Sequence, residues 1–193
     1  MRGDTYSHFK WGSGKPKGKQ TMKYDILKSG IENILALVNA DNGQAFTLEQ
    51  ISIGAPAVFV DETGVNPRNT QIVVSAQPGS GMVGSQTHRY TRLDLAGLPV
   101  APIEIQLGEA TTLADVKADV VGQLLVSDSE VEFTVAEIPA FEEGVTSQVL
   151  TLQAIDGSYG YIGSVEITVL AYEAPPVELS SVLPNQDLNG FEY

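Results

Sequence analysis

The sequence contains no cysteine, only two histidines and a single tryptophan in 193 residues. Without thiols there are no disulfides, thiolate metal sites or cysteine nucleophiles, and the composition suits a reducing cytoplasm. His8 and His88 each stand alone, so local motifs build neither a Ser-His-acid triad nor a histidine metal cluster. No apolar run reaches the length that spans a bilayer. The amino terminus has charges and glycines where a Sec signal needs an apolar core, so neither membrane insertion nor Sec export is expected.

Basic charge is scarce beyond the first residues. Arg2, Lys10, Lys15, Lys17, Lys19, Lys23 and Lys28 are seven of the eleven basic residues; with Asp4 and Asp25 they give residues 1–28 a net +5. Against the overall −13, the remainder carries −18. A body so acidic repels phosphate, which argues against nucleic acid as a partner despite the lysine-rich arm.

Other signatures fail on their context. Gly79-Ser80-Gly81-Met82-Val83-Gly84 and Gly157-Ser158-Tyr159-Gly160 lack the following helix and the lysine of a phosphate loop. Asp61-Glu62 and Glu142-Glu143 lack the Asp-x-Asp-x-Asp-Gly spacing of a calcium loop and are expected to be solvated. Arg2-Gly3-Asp4 is a tripeptide that chance supplies. No metal or other cofactor is expected, and an enzyme stands behind the other readings.

What is present is an internal repeat. Phe46-Thr47-Leu48-Glu49-Gln50-Ile51 matches Phe133-Thr134-Val135-Ala136-Glu137-Ile138 at an offset of 87 residues, and Gln71-Ile72-Val73 matches Gln148-Val149-Leu150 at 77. Gly79-Ser80 against Gly157-Ser158 and Gly84-Ser85 against Gly163-Ser164 extend the match. The offsets imply an insertion of about ten residues within Gly54 to Asn69 of the first copy.

The apolar spacing agrees. Leu113, Val116, Val120, Val121 and Leu124 form a helical stripe, and Thr112 with Asp115 reads as a capping box. Leu27, Ile31, Ile34, Leu35 and Val38 do the same after Asp25, with Gly30 inside the pattern and Asn42-Gly43 at its end. Thr70, Ile72, Val74 and Ala76, like Val165, Ile167, Val169 and Ala171, follow the period of half-buried antiparallel strands. A change of phase at Glu49-Gln50, repeated after Val135, predicts a bulge in each Phe-Thr strand.

The expected fold is therefore α+β: two tandem duplicated modules, 22–107 and 108–173, each one helix on a small antiparallel sheet. Extended arms flank them, a basic one at 1–21 and another at 174–193. Tyr6, Phe9, Trp11, Lys15, Lys17 and Lys19 of the first arm suit an acidic neighbour. Val177, Leu179, Val182, Leu183, Leu188 and Phe191 of the second are too apolar for a spacer. Val182 aside, these are the candidate partner-docking residues, as expected of a subunit laced into an assembly.

Asn69-Thr70-Gln71-Ile72-Val73-Val74, Gly79-Ser80-Gly81, Gly84, Tyr90, Arg92 and Leu93-Asp94-Leu95 resemble a small repeat module of virion structural proteins in tailed bacteriophages. The resemblance covers about a third of the chain well. In the second copy Val169 and Ala171 stand where Tyr90 and Arg92 stand. It implies a non-enzymatic virion subunit, a capsid decoration (cement) or tail, neck or baseplate component. Its partners would be major capsid or tail subunits and copies of itself. Arg92 and Asp94 are expected to form a cross-strand ion pair. The competing expectation is a glycan- or receptor-binding module with Tyr159 and Tyr161 exposed on the second hairpin.

Overall fold

A computed structural model describes residues 22–98 and 102–173, a mixed α and β chain with two α-helices and three sheets. It divides into two compact units. The first holds the described residues up to Arg92 together with Gly157–Gly160; the second holds Leu93–Asp156 and the chain from Tyr161. The division falls after Arg92 rather than after residue 107 because strand β6, Ile103–Gln106, pairs with strand β10, Ser164–Leu170.

In the first unit helix α1 spans Gly30–Asn42. Its cap is Ser29, whose hydroxyl accepts from the Glu32 amide while the Glu32 carboxylate accepts from the Ser29 amide. Asp25 lies a turn earlier, where it accepts from the Leu27 amide, so Leu27 is 92% exposed and belongs to no helical stripe. Gly30 opens the helix and is buried. Gly43 ends it at φ 62° and returns its amide to Asn39, the left-handed geometry that favours glycine.

Strand β3, Thr70–Ala76, is central. Strands β1, Ile51–Ile53, and β2, Ala57–Val58, pair antiparallel with its two ends, and strand β4, Ser85–Tyr90, pairs antiparallel with Thr70–Ser75. Gly54 bridges β1 and β2, its amide bonded to the Val73 carbonyl at 2.8 Å, and a Cβ there would lie 3.2 Å from that oxygen. The inward period of β3 delivers Ile72 and Val74 to a core completed by Ile34, Val38, Ile51 and Tyr90. Each such side chain contributes about 1.5–3 kcal/mol by leaving water.

The Phe46–Gln50 segment is not a strand. The Gln50 and Ile51 amides both bond the Thr47 carbonyl and close a turn. Phe133, in contrast, ends strand β7, Val131–Phe133; after one more bond, from the Thr134 amide to Thr151, the chain leaves the sheet. The phase change reflects a turn in one place and a strand end in the other, and no bulge is needed.

In the second unit helix α2, Leu113–Leu124, carries the expected Thr112–Asp115 capping box. It buries Val116, Val120 and Leu124. The sheet runs β6-β10-β8-β7, where β8 is Ser147–Ala154. It is mixed rather than antiparallel, because β6 runs parallel to β10. A parallel pair joins β5, Leu93–Asp94, to β9, Tyr161–Ile162. Asp94 caps a short 3-10 turn at Leu95–Gly97 through the Ala96 amide, and its carboxylate fills the space where a Cβ on Gly163 would sit.

Candidate functional site

The residues that carry the bacteriophage resemblance act as braces. Asn69 accepts from the Arg92 amide at 2.8 Å and donates to the Arg92 carbonyl at 3.0 Å, tying the start of β3 to the end of β4. The Arg92 guanidinium donates Nε to the Thr70 hydroxyl at 2.8 Å and Nη1 to the Ser158 carbonyl at 3.0 Å. Tyr90 donates its hydroxyl to the Tyr159 carbonyl at 2.9 Å. The anticipated Arg92–Asp94 ion pair does not form; among the described residues the ion pairs are Lys28–Asp25 and Lys117–Asp128. Neutral acceptors surround Arg92, and Asp94 serves as a turn cap.

The tyrosines foreseen for glycan stacking are placed otherwise. Tyr161 is 1% exposed, its hydroxyl accepts from the Ser127 amide at 3.2 Å, and burial raises its pKa. Tyr159 is half-buried against the core of the first unit. Burial of one ring and packing of the other remove the exposed aromatic platform that the glycan expectation required. The designated docking residues of both arms, Tyr6 to Lys19 and Val177 to Phe191, lie outside the described residues, as does His8.

One open flank in the first unit is that of β4; β1 and β2, on the other side of β3, likewise pair with β3 alone among the described residues. Among the described residues β4 pairs with β3 alone, so its other backbone edge faces away from the sheet. Helix α1 packs over β1, and its Ile34 and Val38 join Ile72 and Val74 of β3 in the core; a groove of about 640 Å³ is left over β4. Val38, Phe46, Ile51, Val74 and Met82 supply its apolar wall; Gln86 and His88 supply the β4 side. Phe46 is set there by Asn39, which accepts from its amide at 2.8 Å and donates to its carbonyl at 2.9 Å. Val83, at the mouth, is 98% exposed.

His88 also lines a second, polar hollow of about 390 Å³, with Asp41, Asn66, Arg68, Thr87 and Arg89. Thr87 and Arg89 point to the outer face of β4 and His88 to the inner, so this hollow straddles the strand edge. Arg89 lies 4.4 Å from the centre of the Phe59 ring, and Arg68 donates to the Thr91 hydroxyl. The loop that carries Asn66 and Arg68 is fixed by Asp61. Its carboxylate accepts from the Asn66 amide, the Thr63 hydroxyl and the Thr63 amide, and these bonds hold it below the ordinary aspartate range. Sequence reasoning took Asp61 for solvated loop charge and read His88 as standing alone; the open edge itself has no local signature.

A family model described as a family of unknown function (DUF7941) matches residues 23–193. The chain belongs to this family. The match takes in both compact units and the β4 groove. No curated protein and no solved structure matches the chain. Among the described residues no three His, Asp or Glu side chains gather as a metal site, and no helix is long and apolar enough to cross a membrane.

Proposed function

We propose that this chain is a non-enzymatic structural subunit of a bacteriophage particle, a decoration or tail, neck or baseplate component that docks on neighbouring subunits. The observation that carries the reading is the open β4 edge beside an apolar groove, in a chain whose terminal segments carry unaccounted apolar residues. The bracing roles of Asn69, Tyr90 and Arg92 support it, since those residues also carry the resemblance to phage structural modules.

The two units are, in this reading, diverged copies of one module. Support comes from matching local bonds rather than from the Phe-Thr words. Each helix has a capping box and a left-handed terminal residue, Gly43 in one and Leu125 in the other. The Ala76 amide to Gly84 corresponds to Ala154 to Gly163, and Gln77 to Gln50 corresponds to Ile155 to Glu130. Mass spectrometry of purified particles tests the function. The polypeptide is expected as a stoichiometric component, and its absence would sink the proposal.

A further inference from the structure

We propose that the β4 groove is the receptor for residues 177–183 of a second copy of this chain, added as a strand on the open edge. The inference rests on the reading of the chain as a docking subunit and names the surface on which one arm docks. The two arms differ in chemistry, and that difference selects between them. Arg68 and Arg89 line the polar hollow that shares His88 with the groove, and they are two of the four basic residues beyond Lys28. They repel the lysine-rich amino-terminal arm. Residues 174–193 carry Glu178, Asp187 and Glu192 and no basic residue.

The segment also has the right length and period. Val177-Glu178-Leu179-Ser180-Ser181-Val182-Leu183 stands between Pro176 and Pro184, and proline, which has no amide hydrogen, bounds a strand. Its seven residues match a six-residue edge. Val177, Leu179 and Leu183 share one face and would close the groove over Phe46 and Met82. Glu178 falls on the other face, the side of Arg89. Backbone bonds to β4 supply affinity, and alternate side chains supply selection. Asp41 is the one acidic residue in the polar hollow, against two arginines.

The absence of native cysteine makes disulfide trapping clean. Full-length Thr87→Cys protein is mixed with full-length chains bearing a single cysteine at 178, 179, 180, 181 or 182, one partner tagged. Mild oxidation is followed on a non-reducing gel. Heterodimers are expected at 178, 180 and 182 above those at 179 and 181, and above a Val149→Cys control on an exposed site of the second unit. Uniform yields, or yields no greater than the control, overturn the proposal. Circular dichroism confirms each variant is folded, and Ser85→Cys replaces Thr87→Cys if that one is not. Trapping failure with the chain present in particles removes the groove assignment alone; trapping success with the chain absent from particles removes the virion reading alone.

Discussion

Arg92 reaches across 66 residues of sequence to place its Nη1 3.0 Å from the Ser158 carbonyl oxygen. With Nε on the Thr70 hydroxyl, one guanidinium joins the strand β3 to the tip of the later hairpin within a single unit. Arg92→Met removes both bonds and leaves two acceptors without them. Urea denaturation is expected to show a loss of about 1–2 kcal/mol, because hydrogen bonds from charged donors are worth more than neutral ones. Arg92→Lys should recover only part of it, since an ammonium cannot reproduce the planar fork; equal stability of the lysine variant and the native chain would contradict this account.

Asn33 is 3% exposed and its side chain engages four backbone groups: it accepts from the Asp25 amide and donates to the carbonyls of Asp25, Lys28 and Ser29. Asn33→Ala should destabilise by roughly 1–3 kcal/mol by leaving partly buried groups unpaired. Asn33→Asp should be worse, because a carboxylate has nothing to donate to three carbonyls. Thermal melts of the two variants rank them.

Leu125 ends α2 at φ 54° and is the non-glycine residue with positive φ among those described. Its side chain is exposed, so little packing opposes a change. Leu125→Gly is expected to raise stability by about 0.5–1 kcal/mol, the relief of left-handed strain exceeding the entropy glycine restores to the unfolded chain. A lower melting temperature would show that the leucine packs in a way its exposure hides.

Asp115 and Glu32 are both held below their ordinary carboxylate values, each first by the hydroxyl of its capping partner, Thr112 or Ser29, and then by that residue's amide. Groups with depressed folded-state values contribute stability above the unfolded value, and lose it as pH falls through the folded one. For Asp115 the unfolded value is near 3.8, so the loss falls below that pH. Asp115→Asn should be weaker than the native chain near neutrality and converge with it in strong acid. Denaturation midpoints across that range check the sign; a constant gap at every pH would refute it.

Sequence legibility followed distance along the chain. Thr112 and Asp115 were readable because a capping box is complete within four residues, and so was the Asn42-Gly43 stop. Ser29 and Glu32 carried the same signal, but the apolar Leu27 drew the helix start back to Asp25. Ile103 and Ile105 alternate with Glu104 and Gln106, a strand period that local reading could have found, although its parallel partner in β10 lies far along the chain. The Phe-Thr identity misled because a shared word fixes composition, while Asn39 and the Thr47 turn fix what the word becomes. Nothing local announces the β4 edge, since an unpaired strand is written like a paired one.

Gly157–Gly160 belongs to the first unit while the strands on either side of it belong to the second. A ribosome therefore delivers Tyr90 and Arg92 long before their acceptors on Tyr159 and Ser158 exist. The first unit cannot finish folding as a nascent amino-terminal piece. A gene cut between the codons for Arg92 and Leu93 would separate it from its last brace.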